Sequence, residues 1–364
     1  MIFWISNLYN YKTLKNNESF SPAATDWQAQ FIKALKKYSN HKVHIINYNY
    51  SKYWPFGNIY VNKNLFDLKN IKSHSFEYIN LPFLKDYNIK KKIQKKFDIL
   101  KSKKKKLIFT YNFDKNIISS VRELKINHYT KWIAIIADFD DKNKKKIEEL
   151  IEKADLAIYL SNYAYKKSNL KKKILIQGGI ENIEKCKFKK IETFLYSGSL
   201  GPWIDIEKFI IDFLKFKKEK IKLFITSNDK KYFKKNLNID NKKIQFLGFK
   251  NKLNLNKLSK KIDIFINLRN ENNSDNKNNF PSKILHYLKY CKPIISTDQP
   301  SYRNELKNLL LIKKKNVSYE ELIRKTLKFD RKFLIEKQKH SEKVIKEFYN
   351  WNKIIKKLLI KISD

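Results

Sequence analysis

Residues 261–300 read KIDIFINLRN ENNSDNKNNF PSKILHYLKY CKPIISTDQP, and four segments follow one another in them. A buried apolar strand, Ile262 to Leu268, ends in Arg269, and a polar loop rich in asparagine follows. Phe280-Pro281-Ser282-Lys283 then opens an amphipathic helix carrying Ile284, Leu285, Tyr287 and Leu288, and Pro293 to Thr297 forms the next strand. Pro281 suits a first helical turn, where the amide hydrogen it lacks would have no partner, and the free amides beside it suit an anion. Strand, crossover helix and strand make a unit of a parallel sheet, and open sheets of this kind bind ligands at the carboxyl ends of their strands. Arg269 and Lys283 are therefore expected to converge where a diphosphate would lie.

The same alternation extends outward through the chain. Short apolar runs occur at Ile2 to Ser6, Val43 to Asn47, Phe76 to Leu81, Leu107 to Tyr111, Trp132 to Ala137, Leu156 to Ser161 and Ile174 to Gln177. A second series runs through Thr193 to Ser197, Lys222 to Thr226, Ile244 to Leu247, Ile262 to Leu268, Pro293 to Thr297 and Leu309 to Ile312. Most of these runs are continuous, as strands covered on both faces require, and lysine-rich amphipathic segments separate them. The pattern predicts an α/β protein. The chain has 364 residues, enough for two such domains. Their joint is expected in the polar segment Glu181 to Lys190, and the pattern turns helical after Tyr319.

Charge is the conspicuous feature of the composition: 79 lysines and arginines against 36 acids, a formal net charge of +43. Only five of the bases are arginines, at 122, 269, 303, 324 and 331, whereas base and phosphate recognition favours the planar guanidinium. A solvated lysine coat is the expected reading, and nucleic acid is not the expected partner. Ile89, Ile93, Phe97 and Leu100 fall at helical spacing among lysines, with Lys103 to Lys106 beyond. This segment is expected as a surface helix packed on its own sheet; the alternative is peripheral contact with an anionic membrane, where each base contributes about 1 kcal/mol. Cys186 and Cys291 have no partner at metal-ligand spacing, so no metal site is expected. The apolar opening residues read as a first strand, not a signal peptide, and a cytoplasmic location, at most peripheral to the inner face of the membrane, is expected.

The 261–300 stretch resembles the donor domain of bacterial capsule and polysaccharide glycosyltransferases close to glycosyltransferase family 4, in which Asn-x-Arg, a loop and Phe-Pro-Ser-Lys recur. Lys292-Pro293-Ile294-Ile295-Ser296-Thr297 is similar to the family's next strand, with Cys291 where the family has glycine. Tyr196-Ser197-Gly198-Ser199-Leu200, Phe246-Leu247-Gly248 and Trp351 match in order. The resemblance implies a GT-B architecture: two Rossmann-like domains with parallel sheets facing a cleft and C-terminal helices returning towards the first domain. It implies an acceptor-side domain at 1–185, a donor domain at 186–345 and a terminal helix at 346–364. The activity implied is transfer of a sugar from a nucleotide-sugar to a hydroxyl of a glycan or lipid-linked glycan, with retention, without a cofactor and without an obligatory metal. Donor contacts are implied for Arg269, Lys283, Ser282 and His286, and for the backbone amides around Ser197, Gly198, Ser199 and Gly201.

The chain also departs from the family's pattern. His286 stands where members place a glutamate that holds the donor ribose, and a neutral imidazole does not bind two hydroxyls as a carboxylate does. The basic residues common in the loop after the first donor-domain strand are missing. A weakened subunit that binds another transferase is therefore a second reading, and nucleic-acid binding a third. In the first half, Ser21, Pro22 and Ala23 follow the first strand on the acceptor side, and Thr25 or Asp26 is expected to cap the next helix. Asn112, Asp138 and Asp140 follow the fourth and fifth runs. They are the candidates for catalysis, with capping and turn formation as the alternative role and no base singled out.

Overall fold

Apolar runs without polar alternation become the inner strands of two parallel sheets in the computed structural model. The structure describes every residue except 10–20, 65, 100–105, 113, 128–129, 185, 238–240, 271–272, 274 and 364. Two compact units result, Met1–Gly178 with Trp351–Asp364, and Gly179–Asn350.

In the first unit the strands are β1 (Ile2–Ser6), β2 (Val43–Asn47), β3 (Tyr60–Val61), β4 (Lys72–Ser75), β5 (Tyr78–Ile79), β6 (Lys106–Tyr111), β7 (Thr130–Ile136), β8 (Leu156–Tyr159) and β9 (Lys173–Leu175). Seven of them form one parallel sheet in the order β4-β2-β1-β6-β7-β8-β9, while β3 and β5 pair antiparallel as a separate ribbon. One expectation is corrected here. The strand beside β2 is the polar Lys72–Ser75, paired His44 to Lys72 and Asn47 to Ser75, and not the apolar run Phe76 to Leu81. An edge strand has one unpaired side and tolerates polar residues, so apolarity alone misplaced it.

Helix Leu84–Ile99 buries Ile89, Ile93 and Phe97 completely. Each such side chain stabilises the folded unit by about 2 kcal/mol, more than the attraction of one lysine to a bilayer, so this apolar stripe belongs to the core. Leu100 and Lys103 to Lys105 lie outside the described residues. Helix Pro22–Tyr38 starts earlier than expected: Ser21 is its N-cap, its Oγ accepting from the Ala24 amide at 3.2 Å, with Pro22 in the first turn. Asp26 instead accepts from the Gln30 side chain at 2.7 Å. Trp351 opens the terminal helix Trp351–Ser363 and packs edge-on against Phe31 and Trp27 at 5.4 and 6.3 Å. The last helix thus completes the first unit.

The second unit holds β10 (Thr193–Ser197), β11 (Lys222–Thr226), β12 (Ile244–Phe246), β13 (Ile264–Asn267), β14 (Ile294–Thr297) and β15 (Leu311–Lys313), all parallel, in the order β12-β11-β10-β13-β14-β15. The order reverses between β10 and β13, as it does between β1 and β6 in the first unit. A reversal opens a crevice at the strand ends, the place where such sheets bind ligands. After β15, Ser318 and Glu321 form a reciprocal capping box that starts helix Tyr319–Leu327.

Candidate functional site

At the reversal in the second unit, Gly198 follows β10 and Arg269 follows β13, and helix Lys283–Leu288 delivers Lys283 between them. Lys283 Nζ lies 4.1 Å from the centroid of the Tyr196 ring. A methyl group on Gly198 would sit 3.4 Å from that Nζ, and Gly198 has φ +146°, a conformation that disfavours side chains. Burial, and then the Arg269 guanidinium, push the Lys283 ammonium well below its ordinary value. The chain therefore brings its two expected cations into electrostatic contact. Among the described residues, no carboxylate pairs with Lys283, and the ring face of Tyr196 is its close partner.

Arg269 is held by its surroundings. Its amide donates to Thr297 Oγ1 at 3.0 Å and its Nη1 to Asn276 Oδ1 at 3.2 Å. Asn276 in turn donates to the carbonyls of Trp203, at 3.0 Å, and Asn270, at 2.8 Å. Asn276 is thus a clamp between Arg269 and the backbone of Trp203 and Asn270. Beneath it, Asn267 Nδ2 donates to Tyr302 Oη at 2.5 Å and to Ser296 Oγ at 3.1 Å, all in the buried interior.

Two features differ from the expected donor contacts. The Ser197 amide donates to Tyr287 Oη at 2.9 Å, the Gly198 amide to the Thr226 carbonyl at 3.0 Å, and the Leu200 amide to Asp229 Oδ2 at 2.7 Å. The turn after β10 spends these three donors on its own fold, so Ser197 and Gly198 do not offer amides to an anion. The amides of Ser199 and Gly201 have no partner among the described residues. His286 places its Nε2 3.0 Å from Ser259 Oγ and its ring 5.4 Å from Tyr290, so that nitrogen serves the packing of its helix against Lys252–Lys261. Ser282 precedes helix Lys283–Leu288 without a side-chain capping bond.

The first unit builds a different chemistry at its own reversal. Asn112, at φ +57°, donates from Nδ2 to Asp138 Oδ2 at 2.7 Å, and its Oδ1 accepts from the Ala137 and Asp138 amides at 2.9 and 3.2 Å. This joins the ends of β6 and β7. Asp140 is used by its turn, accepting from the Lys142 amide at 3.0 Å and Asn143 Nδ2 at 2.5 Å. Ser21, Pro22 and Ala23 form the helix start described above.

Sequence reasoning missed Asp114. One of its oxygens accepts from Tyr48 Oη at 2.5 Å and Asn7 Nδ2 at 3.2 Å, and the other from the amides of Asn116 and Ile117 at 2.9 and 3.2 Å. It therefore ties the ends of β1, β2 and β6 together. The available signal was an aspartate just ahead of a helix, with β6 ending three residues earlier.

Comparison with known proteins bears on this site. Residues 180–351 match the sequence model of the family described as glycosyl transferases group 1. The fold is similar to that of sucrose-phosphate synthase from Thermosynechococcus elongatus, at 12% identity and TM-score 0.67, over 98% of this chain and 97% of that one. It is similar to Anabaena Alr3699/HepE, solved in complex with UDP, at 13% identity and TM-score 0.70, over 100% and 99%. It is similar to the lipopolysaccharide outer core galactosyltransferase WaaB, at 15% identity and TM-score 0.64, over 99% and 98%. No curated protein sequence matches the chain. The architecture is GT-B, two Rossmann-like domains, and the cationic site lies in the segment that matches the group 1 glycosyl transferases. The second unit thus carries the sequence signature of the group 1 glycosyl transferases. No helix among the described residues is long and apolar enough to cross a membrane.

Proposed function

We propose that this protein moves a sugar from a nucleotide-sugar to a hydroxyl of a glycan or lipid-linked glycan, with retention of configuration. The observation that carries the reading is Lys283 set over the Tyr196 ring and beside Gly198 at the β10/β13 reversal, within electrostatic reach of Arg269. As the glycosidic bond breaks, the leaving diphosphate gains negative charge, and fixed cations aimed at it lower the barrier. Lys283, weakly solvated and crowded by Arg269, gains most from such a partner. Asn276 holds Arg269 in place while charge develops. The nucleotide-sugar is a substrate, and no resident cofactor or metal enters the reading. In this reading Asn112 and Asp138, bonded to each other at the ends of β6 and β7, orient the acceptor hydroxyl, and a lipid-linked acceptor implies a cytoplasmic enzyme working at a membrane surface.

One observation favours the second reading, a weakened subunit that binds donor without turnover: the nitrogen of His286 that faces Ser259 is occupied, and no carboxylate stands at that position for the ribose. Calorimetric titration with UDP-sugars, followed by an assay for released UDP, separates the alternatives. Saturable binding lost in Arg269→Ala, with turnover, supports the transferase. Binding without turnover supports the subunit, and salt-sensitive DNA binding with no nucleotide-sugar binding overturns both.

A further inference from the structure

Ten of the eighteen large apolar side chains that stand exposed among the described residues fall within residues 50–87 of the first unit. Hydrogen bonds and strand pairing tie the segments that carry them to one another. Tyr60 faces Ile79 across the β3–β5 ribbon. Asn80 ties the preceding loop to that ribbon: its amide donates to Ile59 O at 2.7 Å, its carbonyl accepts from the Trp54 amide at 3.2 Å, and its Nδ2 donates to Lys52 O at 2.6 Å and Asn58 O at 2.9 Å. The start of helix Leu84–Ile99 is fastened to the same loop. Lys85 Nζ donates to Ser51 O at 2.5 Å and lies 4.2 Å from the Tyr53 ring, while Tyr53 Oη donates to Asp86 at 2.6 Å. A side chain on Gly57 would strike the Lys52 carbonyl at 2.2 Å, so the loop closes only with glycine there.

This fastening holds apolar groups out into solvent. Phe56 is 84% exposed, and Phe83, in the left-handed region at φ +63°, is 92% exposed. Strain of this kind persists only where the surrounding structure imposes it, and it marks functional segments. The patch is rimmed by the same lysine coat as the rest of the chain, so an anionic surface would complement its edge. Residues 50–96 carry ten lysines against Asp67, Glu77 and Asp86, and no arginine. Lys52, Lys63 and Lys91 stand exposed, the last with Nζ 5.5 Å from the Tyr87 ring. Point charges around an apolar centre complement a diffuse anionic sheet.

We infer that this face docks on an anionic lipid bilayer. Phe56 and Phe83 enter the boundary between headgroups and acyl chains, Trp54, Tyr60 and Tyr87 lie at headgroup level, and Lys52, Lys63 and Lys91 meet lipid phosphates. The chain lies on the membrane without crossing it. The inference is independent of the transferase reading, and its test uses no donor. The full chain is sedimented with vesicles of phosphatidylcholine alone and with a fraction of phosphatidylglycerol. Partition into the anionic vesicles is expected, weakened by salt, and lowered about tenfold each by Phe56→Ser and Phe83→Ser, whose exposed positions leave the melting temperature unchanged. Brominated lipid is expected to quench tryptophan fluorescence in the parent chain and less so in Trp54→Phe. The inference is overturned by an absence of vesicle binding, or by binding and quenching that these substitutions do not change, since the lysine coat would then suffice. Shielding of Trp54 by a soluble anionic polysaccharide, with no vesicle partition, overturns it in favour of a glycan platform.

Discussion

The two sheets reverse their strand order at the same place and present opposite chemistry there. At the β1/β6 reversal, Asp114 accepts four hydrogen bonds, from Asn7, Tyr48 and the first turn of its own helix, and Asn112 is locked to Asp138. At the β10/β13 reversal, an ammonium lies over an aromatic ring and feels the charge of a nearby guanidinium. A hydrogen-bonded carboxylate already has its partners, and losing them costs stability. A desolvated ammonium beside a guanidinium is the converse case, since an anionic ligand completes what the fold leaves undone. Topology made both crevices, and residue type gave one a hydrogen-bonded carboxylate and the other a weakly solvated ammonium.

The sharpest way to break this contrast is to neutralise each crevice in turn. Arg269→Ala and Lys283→Met are each expected to weaken nucleotide-sugar binding by about a hundredfold, from charge-assisted hydrogen bonds of up to roughly 3 kcal/mol, without lowering the melting temperature. Calorimetry and thermal melts check both halves of that statement. Asp114→Ala is expected to do the reverse, costing about 2–3 kcal/mol in urea unfolding while leaving the donor Kd unchanged. The same Kd after Arg269→Ala, or a lost Kd after Asp114→Ala, would erase the distinction.

Titration sharpens the comparison. Burial and Arg269 lower the Lys283 value in the folded protein from its ordinary 10.5. Between the lowered value and 10.5 the unfolded chain keeps a proton that the native chain has released, so the empty protein gains stability as pH rises through that window. Donor affinity runs the other way, because the ligand needs the charged form. Lys283→Arg, which stays protonated, is expected to flatten the alkaline fall in affinity, read by titrations across pH. Asn276→Ala, which frees the guanidinium without removing it, is expected to weaken binding about tenfold, within the range of one lost hydrogen bond.

How much of this was legible beforehand follows from what each residue depends on. The apolar runs announced the inner strands because burial on both faces demands continuous apolarity, and Arg269 and Lys283 were legible because a strand end and a helix start fix where they point. Lys72–Ser75 was not legible: an edge strand draws its pairing from a neighbour and leaves no apolar signature. The Ser197 and Gly198 amides were misread for a related reason. Their fate depends on Tyr287 and Thr226, one of them ninety residues away along the chain, and local sequence does not record such a partner. Asp114 escaped notice because its partners Asn7 and Tyr48 come from two other strand ends.

The smallest expected effect concerns His286. Its Nε2 sits 3.0 Å from Ser259 Oγ, and Ser259 is fully buried. A hydroxyl donates to a carboxylate as readily as to an imidazole nitrogen, so His286→Glu keeps this bond while adding an oxygen that accepts from a second hydroxyl. If the position faces the donor ribose, the substitution is expected to tighten nucleotide-sugar binding about threefold, the worth of roughly one net neutral hydrogen bond, and to raise turnover with it. An unchanged Kd, with a melting temperature moved in either direction, would assign His286 to helix packing alone. The weak ribose contact would then have to be sought in residues that follow β10, where Ser199 and Gly201 keep their amides.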